Sequence, residues 1–159
     1  MLNKRPKIMI VDDDEALRLI VARILEDAGF DVTTACDGFE SVEMATANHF
    51  DLIIMDVRMP GIDGVEAFRR IKEVSPESIV IMLTGYNDRH LQQALDEGEL
   101  EVLYKPFDTD RLIDLIRTTL SDGNKHNRQS SILELPSAVD PLTVERIRFF
   151  NDASSGPPS

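Results

Sequence analysis

The 159-residue chain contains a single cysteine, no tryptophan and no apolar run near the ~20 residues that a membrane-spanning helix needs. One cysteine, Cys36, excludes an internal disulfide framework and is typical of a reducing cytosol. The amino terminus lacks the apolar stretch of a signal peptide. Basic residues are scarce, 17 against 29 acidic ones, and the net charge of −12 argues against direct binding to nucleic acid or anionic lipid. We therefore predict a cytoplasmic protein.

Short apolar runs alternate with helical patterns through the first 120 residues. Two of the runs, 8–11 and 52–55, are continuously apolar, which is typical of strands buried on both faces. The predicted strands cover residues 8–11, 32–35, 52–55, 79–83 and 102–104. Apolar stripes at helical spacing begin near Leu17, Phe39, Val65, Leu91 and Leu112. Five strand–helix pairs in strict alternation predict an α/β fold, a parallel sheet covered by helices on both faces.

Polar residues stand where four of the predicted strands end. In parallel sheets of this kind, reactive groups gather beyond the carboxyl ends of the strands. The four positions are Asp12-Asp13-Asp14, Asp56, Thr84 and Lys105-Pro106. We expect their side chains to meet at one edge of the sheet.

This set of residue types points to phosphoryl chemistry. Asp12, Asp13 and Asp56 in one pocket would raise one another's pKa, and a divalent cation such as Mg²⁺ would relieve that repulsion. A neutralised carboxylate can attack phosphorus and form an aspartyl phosphate. An ammonium such as Lys105 can balance the charge on the phosphoryl oxygens. A hydroxyl such as Thr84 can donate to one of those oxygens only once the group is present, which is the basis of a switch.

An ordered set of motifs resembles the receiver (CheY-like) domain of two-component response regulators over about residues 5–121. The set comprises Val11-Asp12-Asp13, Asp56, Met59-Pro60-Gly61-Asp63-Gly64, Thr84-Gly85 and Lys105-Pro106-Phe107. The resemblance implies a flavodoxin-like, doubly wound sheet of five parallel strands in the order 2-1-3-4-5 with five helices. It also implies a signalling switch that acts by binding partners and catalyses only its own phosphorylation and dephosphorylation, rather than an enzyme with a separate substrate.

The resemblance implies a role for each matching residue near the phosphoryl group. A histidine kinase or a histidine phosphotransfer protein would be the partner that supplies the group, and Asp56 would accept it. Thr84 and Lys105 match the family's hydroxyl and lysine, and the bond between Lys105 and Pro106 would be cis.

The same resemblance implies the ligands of one Mg²⁺ ion. Asp13 would bind the ion directly and Asp12 mainly through water. The phospho-acceptor Asp56 and the backbone carbonyl of Arg58, two residues after it, would complete the protein ligands.

One position departs from the family pattern. Three residues before the lysine the family usually has Tyr or Phe, and this chain has Val102. Tyr104 lies one residue before the lysine and is expected to point to the other side of the strand. We therefore hypothesise that the signal leaves through the loop around Gly85-Tyr86 and a shift of the predicted fourth helix.

Other functions are weighed against this one. A haloacid-dehalogenase-type phosphatase also uses an Asp nucleophile but needs a second Asp two residues later, where this chain has Arg58. A dinucleotide-binding domain needs glycines after the first strand, where this chain has acids. A receiver that folds but is never phosphorylated and a purely structural scaffold stay as alternatives, and Mg²⁺-dependent modification would exclude both.

Several polar residues have a plainer interpretation than a site. Asp14 and Glu15 are expected to complement the dipole of the helix they begin. Cys36 is expected to fill a small apolar gap. The three histidines lack the spacing of metal ligands. They are His49, His90 and His126.

Residues 122–159 are expected to form a linker or tail rather than an independent domain, since a segment below ~40 residues rarely folds alone. Asp140-Pro141 is a good helix start and predicts a short apolar helix over residues 141–151. That helix would begin a linker to further chain, dock on the receiver, or dock on a second copy. A homodimer through the tail, or through the predicted fourth helix, fifth strand and fifth helix, stays open, as does the downstream effector.

Overall fold

The computed structural model describes residues 4–85, 91, 92, 95 and 101–122. Strands and helices alternate in this part of the chain: β1 (Lys7–Val11), α1 (Glu15–Asp27), β2 (Asp31–Ala35), α2 (Gly38–Ala47), β3 (Leu52–Asp56), α3 (Gly64–Val74), β4 (Ile79–Thr84), β5 (Glu101–Tyr104) and α4 (Thr109–Asp122). Every predicted strand is found, and none of its ends moves by more than one residue.

The five strands form one parallel sheet in the order β2-β1-β3-β4-β5, as the resemblance implied. Val11 is paired with Met55, Met55 with Met82 and Asp56 with Leu83. Thr84 is paired with Tyr104 at the far side of the sheet. Because these registers keep the strand ends level, the residues that follow β1, β3, β4 and β5 emerge at one edge.

Apolar side chains on the two faces of the sheet form two separate cores. Met9, Ile53 and Met82 belong to the core under α2 and α3, whereas Ile54 and Leu103 belong to the core under α1 and α4. Burying one such side chain stabilises the fold by about 1.5–3 kcal/mol. The central strands β1 and β3 are buried on both faces, which explains their continuous apolar sequences.

Three helices begin at an aspartate that caps the first turn. The carboxylate of Asp14 accepts from the backbone N–H of Leu17, and that of Asp63 accepts from Glu66. Asp37 caps α2 in the same way. Each cap stabilises its helix by about 1 kcal/mol. The predicted role of Asp14 as a helix start is thereby confirmed.

The predicted fourth helix lies largely outside the described residues, so four helices rather than five are seen there. Of this segment Leu91, Gln92 and Leu95 are described; all three are helical, and Leu91 is buried in the core under α2 and α3. The segment's remaining positions and the tail from 123 onward, with its predicted helix at 141–151, lie outside the described part, as do Tyr86, His90 and His126. None of the helices described is long and apolar enough to cross a bilayer.

The expectation for Cys36 is wrong. The residue is exposed rather than packed in an apolar gap. Strand β2 ends at Ala35, so Cys36 begins the turn into α2, and its backbone N–H donates to Glu40 Oε2 at 2.6 Å. The turn, and not the apolar character of the thiol, decides its position.

Candidate functional site

Asp56 is the last residue of β3 and lies at the carboxyl edge of the sheet. Its side chain is 13% exposed, so solvent reaches a small part of the carboxylate. The pairing with β4 extends to this point: the next backbone N–H, that of Val57, donates to the carbonyl of Leu83 at 3.0 Å. This bond keeps Asp56 level with the end of β4.

Three carboxylates meet at this edge. Ligand oxygens of Asp12, Asp13 and Asp56 all lie within 4.8 Å of one another, a spacing that could hold a metal ion. The Asp12 side chain is 4% exposed, whereas Asp13 is exposed. Asp12 is thus enclosed, Asp56 lies at the end of β3 and Asp13 is open to solvent, as expected from the ends of β1 and β3.

Burial governs the ionisation of Asp12 and Asp56. Loss of solvent raises the pKa of Asp12 above its ordinary value, although the hydrogen bond from the Asp14 backbone N–H opposes the rise. Loss of solvent likewise raises the pKa of Asp56, and the Lys105 ammonium opposes it. The cluster therefore holds negative charge at a cost that a bound cation would reduce.

Lys105 follows β5, and its side chain reaches back between Asp12 and Asp56. Its Nζ lies 3.5 Å from Asp56 Oδ2 and 3.7 Å from Asp12 Oδ2, and its side chain is 28% exposed. The backbone N–H of Lys105 donates to the carbonyl of Thr84 at 2.8 Å, which fixes the lysine relative to β4. The peptide bond between Lys105 and Pro106 is cis, as the resemblance implied.

Thr84 ends β4 beside these groups. The residue is 3% exposed. As the last residue of β4, it lies one position beyond Leu83, the partner of Asp56 in the sheet, so its side chain is at the same edge as the carboxylates.

Arg58 is the second residue of the loop between β3 and α3, and its side chain is exposed. Its backbone N–H points to Asp56 Oδ1 at 3.4 Å, a long hydrogen bond. The main chain of Arg58 is therefore adjacent to the Asp56 carboxylate.

A family model described as response regulator receiver domain matches residues 8–117. The chain belongs to that family. The receiver domain is a phosphorylation-activated switch of two-component signalling, and receiver domains typically bind Mg²⁺ and exchange phosphoryl groups with histidine kinases or phosphotransfer proteins.

Individual relatives agree with this assignment. Sporulation initiation phosphotransferase F of Bacillus subtilis is 31% identical over 121 residues, which cover 76% of this chain and 96% of that protein. The C4-dicarboxylate transport transcriptional regulatory protein DctD of Rhizobium meliloti is 34% identical over 117 residues, which cover 73% of this chain. A CheY-like receiver domain structure from Methanospirillum hungatei superimposes with a TM-score of 0.73 at 26% identity and covers 78% of this chain and 100% of that one. This chain spans 25% of the length of DctD.

The roles of two residues that shape the receiver site were not predicted from the sequence. Gly64 belongs to the motif set that resembles the family but was given no role, and a Cβ there would overlap the carbonyl oxygen of Asp56. Arg18, on α1, donates from Nη1 to the carbonyl of Asp12 at 2.6 Å and steadies the end of β1. The Asp63-Gly64 pair carried a signal for the first, since a glycine at a helix start after a catalytic strand indicates close backbone approach. Nothing in the pattern around position 18 indicated the second.

The predicted direction of Tyr104 is wrong. Val102 packs against the core under α2 and α3, and Leu103 packs in the core on the opposite face. Since side chains alternate along a strand, Tyr104 lies on the same side as Val102. It is buried and pairs with Thr84 across the sheet. The receiver therefore carries its aromatic residue two positions nearer to the site than the family pattern does, on the same face.

Proposed function

We propose that this receiver accepts a phosphoryl group on Asp56 from the phosphohistidine of a histidine kinase or a histidine phosphotransfer protein. The modified receiver then binds its effector differently. The receiver spans residues 5–121, and residues 122–159 act as a linker or tail without a domain of their own. The chain has no separate substrate and works in the cytoplasm, where such donors present their phosphohistidine.

The position of Lys105 carries this proposal. An ammonium 3.5 Å from Asp56 and 3.7 Å from Asp12 lies beside the carboxylate that would be modified. It would remain there to pair with the phosphoryl oxygens that replace the carboxylate charge.

The donor set fits Mg²⁺. Hard oxygen ligands suit this ion, which keeps several waters and takes few carboxylates. Asp13 and Asp56 would bind it directly, Asp12 would act mainly through water, and the backbone carbonyl of Arg58 would be the remaining protein ligand. When bound, the ion would neutralise the carboxylates and the phosphoryl oxygens.

The transfer step is a displacement at phosphorus. One carboxylate oxygen of Asp56 forms a bond to phosphorus as the bond from phosphorus to the donor's imidazole nitrogen breaks. The imidazole nitrogen keeps the electron pair and later takes up a proton. Lys105 faces the charge on the phosphoryl oxygens during this step, and the Thr84 hydroxyl donates to one of them afterwards.

The test is Mg²⁺-dependent phosphorylation by acetyl phosphate, read as intact mass. We expect the wild-type chain to gain one phosphoryl group and Asp56→Asn to gain none. Lys105→Met should slow the reaction about 10²-fold, in line with the loss of one charge-stabilising group. Asp31→Asn and Lys7→Met, at the opposite edge of the sheet, are matched controls that should react like wild type. A wild-type chain that gains no mass, or an Asp56→Asn chain that still does, would refute the proposal.

A further inference from the structure

The first turn of α2 packs against the loop that follows Asp56. A Cβ at Gly61 would lie 3.2 Å from Cε2 of Phe39, and a Cβ at Gly38 would lie 2.6 Å from Cγ1 of Ile62. The Phe39 ring thus covers the middle of the loop of residues 57–63. The Arg70 guanidinium lies 5.8 Å from the centre of that ring, on α3.

The Phe39 ring is only partly buried by its contact with the loop. Phe39 is 54% exposed, although aromatic side chains generally gain most from burial. The buried part of the ring faces Gly61, whose φ of +86° places the loop in a turn that glycine adopts without strain. The ring and the glycine fit closely: a Cβ at position 61 would require the Phe39 ring to move by a few tenths of an ångström.

The loop leads directly to the Asp56 carboxylate. Its ends are held by two backbone bonds, Val57 N–H to Leu83 at 3.0 Å and Gly64 N–H to Val57 at 2.8 Å. Between these ends, the Arg58 N–H reaches Asp56 Oδ1 at 3.4 Å, a bond long enough to be lost after a small movement. The contact of Phe39 with Gly61 supports the loop between the two fixed ends.

We propose that Phe39 is a positioning residue for the phosphorylation site. By packing over Gly61, its ring holds the loop so that the Arg58 main chain stays beside the Asp56 carboxylate. This inference rests on the proposed function, in which the Arg58 carbonyl is a Mg²⁺ ligand. Loss of the ring would weaken Mg²⁺ binding without removing any ligand.

The first measurement needs no metal. In Phe39→Ala, amide hydrogen exchange followed by NMR should be faster than in wild type at Arg58, Gly61 and Ile62, and unchanged in β1. In a Mg²⁺ titration read from amide shifts, the dissociation constant should rise about tenfold, the lower end of the effect of residues that orient metal ligands. Saturating Mg²⁺ should restore most of the rate of phosphorylation by acetyl phosphate.

Two variants separate positioning from a loss of stability. Leu19→Ala removes an apolar side chain with the same 54% exposure from α1, on the other face of the sheet, and should leave the loop amides and the Mg²⁺ affinity unchanged. Phe39→Leu keeps apolar cover over Gly61 and should return the dissociation constant most of the way to wild type. If Phe39→Ala does not fold, the comparison of Phe39→Leu with Leu19→Ala still tests the inference. Phe39→Leu should then show a smaller rise in the Mg²⁺ dissociation constant, and Leu19→Ala none.

The inference and the proposed function fail in different ways. If Phe39→Ala and Leu19→Ala show the same loop exchange rates and the same Mg²⁺ affinity, the role of Phe39 is overturned. The proposed function is still upheld in that case if the wild-type chain is modified on Asp56. A wild-type chain that is never modified would overturn the function, and the exchange rates would still show whether Phe39 holds the loop.

Discussion

Gly64 lies against the main chain of Asp56, so closely that a Cβ on residue 64 would overlap the Asp56 carbonyl oxygen and lie 2.9 Å from Cα of Val57. The backbone N–H of Gly64 also donates to the carbonyl of Val57 at 2.8 Å. The start of α3 and the end of β3 are thereby joined backbone to backbone. The residue that would carry the phosphoryl group is anchored by a glycine eight positions later.

Gly64→Ala is expected to destabilise the fold, since backbone atoms cannot move aside as a flexible side chain can. We expect a loss of about 1–3 kcal/mol, the usual cost of overpacking, measured as a lower midpoint of urea unfolding. Gly85→Ala is the control, because a Cβ there meets none of the described residues within 4 Å and the residue has no positive φ. Equal midpoints for the two variants would contradict the close approach.

Mg²⁺ is expected to stabilise the wild-type chain against unfolding through Asp13. At ten times its dissociation constant, the ion should add about 1.4 kcal/mol to the free energy of unfolding. Asp13→Asn should lose most of that gain, since one anionic ligand is removed. Asp14→Asn makes the same charge change one residue later and keeps a side chain able to cap α1, so it should retain the gain. The reverse order of the two variants would place the ion elsewhere.

Asp56→Asn is expected to stabilise the chain at neutral pH in the absence of divalent cations. Burial raises the pKa of Asp56 above its ordinary value of 3.8. Between 3.8 and the folded-state pKa, the folded chain binds more protons than the unfolded chain, so the free energy of unfolding falls as the pH rises through that window. Asparagine does not ionise and avoids this loss.

The gain in Asp56→Asn should be on the order of 1 kcal/mol at neutral pH and shrink as the pH falls toward 3.8. Urea unfolding across this range measures it. Asp31→Asn makes the same change in net charge at the start of β2 and controls for the general repulsion in an acidic chain. A gain in Asp56→Asn that does not depend on pH would show that burial of the charge is not its cause.

Thr84→Ala is expected to separate phosphorylation from the response to it. The Asp56 carboxylate and Lys105 are intact in this variant, so intact mass should still report a phosphoryl group. The amide shift of Lys105 on phosphorylation should shrink, because its N–H donates to the Thr84 carbonyl and senses movement of β4. Thr84→Ser keeps the hydroxyl and should behave like wild type. A full Lys105 shift in Thr84→Ala would exclude the hydroxyl as the switch.

Much of the fold could be predicted because it is encoded locally. The run Ile8–Val11 has no polar interruption, which is typical of a strand buried on both faces. Strict alternation of strands and helices then leaves few topologies. The same reasoning located the site, since Asp12, Asp56 and Lys105 each stand at the carboxyl end of a predicted strand. The position of Tyr104 was also within reach, because alternation along β5 places it with Val102.

The amino-acid sequence by itself determined which strands form, where they end and which charged residues come to the edge of the sheet. Only the tertiary structure decided that Lys105 reaches both Asp12 and Asp56, that Gly64 has no room for a side chain, and that Phe39 lies over Gly61. The reason is physical: burial along one strand follows from the spacing of neighbouring residues. Contacts between loops depend on register, crossover packing and backbone turns that residues distant in the chain determine together.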